Sequence, residues 1–247
     1  MNKRFKSPLA PMPLLQNFQT PEFRTPYHLA DFPPFSVELM SHTQRLRAIA
    51  LAFLIAGLLA LSTAISYELW LYNTSITGEN AGLELAQGAF LILATLVQGW
   101  RGLTTAKPGL QRDIRVGLAL FAFALFLREV DIDKLGASHF WNWLETSLRV
   151  ITLIGFLGFA THLLSRTTIL WRNCKRILLA PTVLISFLAC GFYALGWPFD
   201  KELFNIDKGL SVWLEETLEL NACLLFFLAG FTSGIKSAVV SLKAPSF

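Results

Sequence analysis

The chain has little charge and few cysteines, and both shortages restrict the class of protein. Only 15% of its 247 residues are charged, whereas 53% are hydrophobic, which is less polarity than a soluble domain of this length needs. Its three cysteines fall in one predicted loop and two predicted helices, so they provide no disulfide framework. We therefore expect an all-α integral membrane protein.

Several sequence motifs of enzymes and metalloproteins are also missing. No Glu-x-x-His pair occurs, which argues against a di-iron helical bundle. His139 is the only histidine on the predicted outer side and has no thiol beside it for structural zinc. There is no glycine-rich phosphate loop, and the segment 230–234 lacks the central serine of a nucleophile elbow. The remaining candidates for chemistry are carboxylates and arginines.

Uncharged runs predict six transmembrane helices. Residues 48–67 and 177–199 carry no charge and are each long enough to span a bilayer. Four shorter runs become long enough if a charged residue enters the membrane at one end. Glu84, Arg149 and Glu219 each stand 17 positions before a basic residue, a length of about 25 Å as helix. The predicted helices lie at roughly 48–70, 80–100, 113–132, 145–165, 177–197 and 214–235. They form three hairpins, at about 48–100, 113–165 and 177–235.

An internal repeat supports the three hairpins. The segment 143–150 aligns without a gap on 213–220, sharing Trp-Leu-Glu and a second leucine four residues after the first. The segment 78–85 keeps the leucine and the charged position but lacks the tryptophan. Repeats of this kind indicate structural units that pack on one another.

The distribution of Lys and Arg predicts the orientation. Of 21 such residues, 16 lie before the first helix, in the two loops that connect hairpins, or after the last helix. Cytoplasmic segments retain positive charge during insertion, so both termini are predicted to be cytoplasmic. We expect an integral plasma-membrane protein, or an inner-membrane protein in a bacterium.

The chain divides into a membrane domain and two tails. Residues 1–45 contain seven of the 11 prolines and no sustained apolar period, which predicts a disordered, Pro-rich cytoplasmic tail. Residues 46–237 form the predicted membrane domain, and residues 238–247 a short cytoplasmic tail.

In the second helix of each predicted hairpin, polar residues near the outer end are four positions apart and therefore lie on one helix face. If the hairpins share an axis, these residues form one cluster near the outer surface, together with charged residues at the outer ends of the first helices. The candidate cluster comprises Glu68, Asn80, Glu84, Gln87, Arg128, Glu129, Asp131, Glu145, Arg149, Glu215 and Glu219. Arg149 holds the position that Glu84 and Glu219 hold in the other repeats, so a network of these three is the simplest charge-paired arrangement.

Three interpretations of this cluster remain open. In the first, the carboxylates bind a proton or a cation in a transport or permeation protein; all-oxygen ligands would favour a hard divalent ion such as Mg²⁺, Ca²⁺ or Mn²⁺. In the second, the network is structural and the protein is a non-enzymatic membrane scaffold or assembly factor. In the third, the protein is an intramembrane enzyme acting on a lipid, with Glu129 and Glu215 as acid and base. The first is preferred, and a non-enzyme over an enzyme.

The expected partners are lipids. The net charge of +4 is accounted for by membrane orientation and gives no indication of nucleic-acid binding. The cytoplasmic basic loops would attract anionic lipids in the bilayer. No feature of the sequence identifies a protein partner.

Overall fold

The computed structural model describes residues 42–78, 81–105, 109–136, 138–201 and 203–232. Within these ranges the chain is entirely helical. The α-helices are α1 (His42–Tyr72), α2 (Gly82–Thr104), α3 (Leu110–Glu129), α4 (His139–Ser165), α5 (Thr167–Leu178), α6 (Pro181–Asp200) and α7 (Lys208–Phe231). Of the predicted tails, residues 1–41 and 238–247 lie outside the described residues, and residues 42–45 belong to α1.

Four of the described helices are long and apolar enough to cross a membrane: the segment Arg45–Tyr72 of α1, then α2, α4 and α6. Each has at least 20 residues, and a helix of that length reaches about 30 Å, the thickness of the hydrocarbon core. The predicted all-α membrane class is supported to this extent. Helices α3 and α7 have similar lengths but carry more charge.

The fifth helix is predicted at 177–197, and the predicted first residue is wrong, because this helix begins at Pro181. Residues 177 and 178 complete a separate helix, α5, which the sequence interpretation treated as part of a loop. Pro181 is the first residue of α6, and Ala180 before it is extended, with φ −67° and ψ 129°. Proline disfavours the helical conformation in the residue that precedes it and has no N–H to continue a hydrogen-bond ladder. The chain therefore breaks between α5 and α6.

Two other predicted helix boundaries also change for local reasons. α3 ends at Glu129 rather than at residue 132, because Val130 is extended and the next residues form a 3₁₀ turn, Ile132–Leu135. α7 begins at Lys208 rather than at residue 214. The Asp207 carboxylate accepts a 3.1 Å hydrogen bond from the Leu210 backbone N–H, which caps that end of α7.

α7 is the central helix of the unit Leu46–Phe247. It packs against α2 and α6, α3 packs on α2, and α4 packs on α3 and the 3₁₀ turn. Its buried residues occupy every face of the helix, from Ser211 to Gly230. A helix buried on all sides places each of its polar side chains against protein, and this property determines where the candidate site forms.

Close helix contacts depend on glycine. A Cβ atom added to Gly230 of α7 would lie 2.8 Å from Val97 of α2, and one added to Gly88 of α2 would lie 2.6 Å from Val130. Both distances are too short for real carbon atoms. In lipid, helices associate through close packing rather than through the hydrophobic effect, so such small residues set how near the backbones come.

Candidate functional site

An acidic cluster lies where α2, α3 and α7 meet. It consists of Glu84, Gln87, Arg128, Glu129, Glu216 and Glu219. At its centre Arg128 donates from Nη2 to Glu219 Oε1 over 2.9 Å, and its Nε lies 3.4 Å from Glu129 Oε1. The carboxylate side chains of Glu219 and Glu129 are only 9% and 7% exposed, whereas that of Arg128 is 59% exposed. One exposed guanidinium thus forms ion pairs with two buried carboxylates.

Gln87 connects α2 to the same cluster. Its Nε2 donates to Glu216 Oε2 over 2.8 Å and to the Glu216 carbonyl over 3.0 Å. Its other polar atom, Oε1, is buried and has no hydrogen-bond partner within the part of the chain that the structure describes. Glu84, one turn before Gln87, interacts electrostatically with both Glu216 and Glu219. The cluster therefore combines several close acids with a buried acceptor that lacks a donor.

α6 closes the cluster with an aromatic side chain. The Tyr193 hydroxyl lies 3.1 Å from Cys223 Sγ and donates a long, 3.5 Å hydrogen bond to Glu129 Oε1. The Arg128 guanidinium carbon is 5.5 Å from the centre of the Tyr193 ring, which is within the range of a cation–π contact. Tyr193 thus contacts both charges of the Arg128–Glu129 pair.

The remaining predicted site residues lie apart from this cluster or at its edge. Glu215 is half-buried and interacts with Glu219 and with Asp200 at the end of α6. Asp131 forms a 2.8 Å ion pair with Lys134 in the 3₁₀ turn. Glu68 is exposed on α1, and Asn80 lies outside the described residues.

The predicted network of Glu84, Arg149 and Glu219 does not form. Arg149 instead pairs with Glu145 one turn earlier in α4, at 2.5 Å. The second oxygen of Glu145 accepts a 2.8 Å hydrogen bond from the backbone N–H of Asp133. α4 packs on α3 rather than around a common axis with α7, so Arg128 of α3 takes the place predicted for Arg149.

Sequence reasoning missed two members of the site, Glu216 and Tyr193. Glu216 is not on the helix face shared by Glu215 and Glu219, and only a helix buried all round brings it against α2. A signal for it was present, because three acids within five residues of an apolar helix cannot all face lipid. Tyr193 has no such signal, since a lone tyrosine in an apolar run is ordinary.

Further polar contacts join α7 to α1. Thr217 and Ser66 share a hydrogen bond of 3.0 Å between their hydroxyls, and Asn221 donates to Thr63 Oγ1 over 2.9 Å. Together with the bonds to Gln87 and Arg128, these contacts connect α7 by polar side chains to α1, α2 and α3.

At the opposite end of α7, the guanidinium of Arg115 is buried, with 2% of the residue exposed. It donates to Gln98 Oε1 over 2.6 Å and to three backbone carbonyls at the end of α7. These are the carbonyls of Ala229 (3.2 Å), Gly230 (3.2 Å) and Thr232 (2.5 Å). Helix ends leave such carbonyls without intrahelical partners and carry partial negative charge, so this arginine caps α7.

The acidic cluster contains four carboxylates and one guanidinium. With Glu129 and Glu219 both ionised, Arg128 compensates only one of them, and Glu216 is held by a neutral amide. An uncompensated charge in a buried site costs several kcal/mol. Among the described residues, no three His, Cys, Asp or Glu side chains are grouped so as to hold a metal ion.

Comparison with protein-family models finds no match to this chain, and comparisons with curated protein sequences and with solved structures find no significant match either.

Proposed function

We propose that the chain is a six-span plasma-membrane protein whose acidic cluster binds a proton or a cation as part of transport or permeation. The observation that carries this proposal is the shared guanidinium: Glu129 and Glu219 are both buried, and both pair with Arg128. Binding a proton removes one carboxylate charge, and at Glu216, which contacts the Gln87 amide, it supplies an O–H donor to an amide whose Oε1 is unpartnered among the described residues.

The six-span arrangement extends the four apolar helices by α3 and α7. α7 is enclosed by α2 and α6, and α3 packs on α2, so the charges of both helices can be placed against protein rather than lipid. With both termini cytoplasmic, the acidic cluster lies at the outer end. α5 then lies at the cytoplasmic face, where Arg172 and Lys175 are exposed and can contact anionic lipids.

The test compares Glu219→Gln with Glu68→Gln in liposomes that contain a trapped pH indicator. Both changes remove one carboxylate, but Glu68 is exposed on α1 and stands apart from the acidic cluster. We expect wild type and Glu68→Gln to pass protons under an imposed potential, and Glu219→Gln to fall to the rate of protein-free liposomes. Equal proton flux in all three, with equal amounts of folded protein, would contradict the proposal.

A divalent cation is tested with the same proteins. A ligand that binds only the folded state raises its apparent stability. Stabilisation of wild type and Glu68→Gln by Mg²⁺, Ca²⁺ or Mn²⁺, lost in Glu219→Gln, would identify that ion rather than a proton as the bound charge.

A second candidate function is a non-enzymatic scaffold or assembly factor, and the polar contacts of α7 favour it. α7 makes side-chain hydrogen bonds to α1, α2 and α3, and such bonds fix the register of helices in a membrane. On this proposal Glu219→Gln lowers the melting temperature in detergent, and wild type passes no protons.

A further inference from the structure

A groove with a volume of about 430 Å³ runs between α3 and α4. Its walls include Ala124, Leu127, Arg128, Arg149, Leu153 and Phe156, and we refer to it as the α3–α4 groove. It lies on the face of α3 turned to α4, near the end of α3 where the chain enters the 3₁₀ turn.

The two helices that form the groove are close together at its other end. A Cβ atom added to Gly117 of α3 would lie 2.8 Å from the ring of Phe159, and one added to Gly155 of α4 would lie 3.3 Å from Leu120. The helices leave no comparable space there. The α3–α4 groove therefore narrows away from the arginines, while its outer side is open to the surroundings.

Two guanidinium groups line the α3–α4 groove, one from each helix. The side chains of Arg128 and Arg149 are 59% and 53% exposed, whereas their carboxylate partners Glu219 and Glu145 are 9% and 10% exposed. The acids thus lie behind the arginines, and the exposed N–H groups of both guanidiniums face the groove. Each guanidinium has five N–H donors, more than its carboxylate contacts use.

Arg149 also contacts the backbone of α3 next to Arg128. Arg149 Nη2 donates a long, 3.4 Å hydrogen bond to the carbonyl of Leu127, the residue that precedes Arg128. This carbonyl belongs to the last turn of α3, where the helix dipole favours cations. Both guanidiniums are therefore held at the same end of α3.

Beyond the arginines the wall of the α3–α4 groove is mainly apolar, with Thr152 as its polar residue. Ala124, Leu153 and Phe156 line it one to two turns farther along the two helices. The outward faces of α4 are apolar as well, with Ile151 and Ile154 each 63% exposed. A site with a cationic end, an apolar body and an opening onto an apolar surface is complementary to an anionic amphiphile.

We propose that the α3–α4 groove binds an anionic phospholipid of the surrounding leaflet. Its phosphodiester lies between Arg128 and Arg149, which match phosphate oxygens with paired N–H donors. One acyl chain follows the groove past Leu153 and Phe156. The proposal requires α3 and α4 to lie in the bilayer, but it does not require the acidic cluster to bind a proton.

The test is native mass spectrometry of the purified protein equilibrated with equal amounts of phosphatidylglycerol and phosphatidylcholine. The charge variant is Arg149→Gln combined with Glu145→Gln, so that no buried carboxylate is left without its partner. The steric variant, Ala124→Phe, fills the groove and leaves every charge in place. The control, Lys134→Gln, removes one positive charge in the 3₁₀ turn outside the groove.

We expect wild type and Lys134→Gln to retain phosphatidylglycerol in preference to phosphatidylcholine, and both groove variants to lose that preference. Retention of phosphatidylglycerol at the wild-type level by either groove variant, in protein that elutes as wild type does, would overturn the proposal. Proton flux is measured on the same preparations, so loss of lipid binding and loss of flux can be told apart.

Discussion

Arg115 is a charged residue that is almost completely buried, and its contacts explain how the protein tolerates it. Its guanidinium contacts a neutral amide and the carbonyls at the end of α7 rather than a carboxylate. Those carbonyls carry partial negative charge. The same contacts satisfy the arginine and terminate the helix, so each side of the interaction depends on the other.

Replacing this residue should therefore destabilise the protein. Arg115→Ala removes the donor to Gln98 Oε1 and to the Gly230 carbonyl, and it leaves the Ala229 and Thr232 carbonyls with one donor fewer, so we expect a loss of about 3 kcal/mol. Thermal unfolding in detergent measures the effect. Arg112→Ala, three residues earlier on the same helix and partly exposed, should change stability by about 0.5 kcal/mol or less. Equal melting temperatures for the two variants would show that Arg115 does not cap α7.

Helix positions are the part of the fold that the sequence predicts well, and helix ends are the part it predicts poorly. Long apolar runs such as 48–67 require a helix wherever they cross lipid. α5 was missed because Arg172, Lys175 and Arg176 fall within 12 residues and look like a charged loop. They share one face of an amphipathic helix, with Leu170, Cys174 and Ile177 on the other.

The contact between α2 and Val130 provides a test of helix packing. Gly88→Ala places a methyl group against Val130 and should cost about 1–3 kcal/mol through overpacking. Gly99→Ala on the same helix is the matched control, since its added Cβ would be an ordinary 3.9 Å from Ala119. That change should be neutral or stabilising by up to about 1 kcal/mol, because alanine is the better helix former.

A compensating change at residue 130 would confirm the mechanism. Val130→Ala removes the group that the Gly88 variant meets, so the double variant should lose less stability than the two single changes added together. Strict additivity would mean that the two side chains do not meet in the folded protein.

At the scale of the whole molecule, the sequence predicts which residues are polar and at what depth, but not which of them meet. The sequence predicts that Glu84 and Glu219 share Arg149 as a partner, because the repeats are expected to pack around one axis. The order of helices around α7 determines the actual partner, Arg128. That order depends on packing between distant segments, for which the local pattern carries no information.

The predicted orientation can be tested with cysteine labelling. In a protein with Cys190→Ala and Cys223→Ala, Cys174 of α5 is the remaining thiol, and a membrane-impermeant maleimide should label it only in inverted vesicles. Ser138→Cys, with Cys174→Ala added, should show the reverse, because α4 separates residue 138 from α5. Labelling of both sites from the same side would show that α4 does not cross the membrane.

The burial of α7 has a consequence for biosynthesis. α7 follows α1 to α6 in the chain, so a ribosome makes it after every helix that it contacts. Until α7 is synthesised, Ser66, Gln87 and Arg128 lack the hydrogen-bond partners that α7 provides in the folded protein. In the proposed six-span arrangement, its three glutamates enter a membrane that already holds those partners, which lowers the cost of inserting so acidic a segment. The order of synthesis thus provides polar partners in advance for the helix that is least able to enter lipid alone.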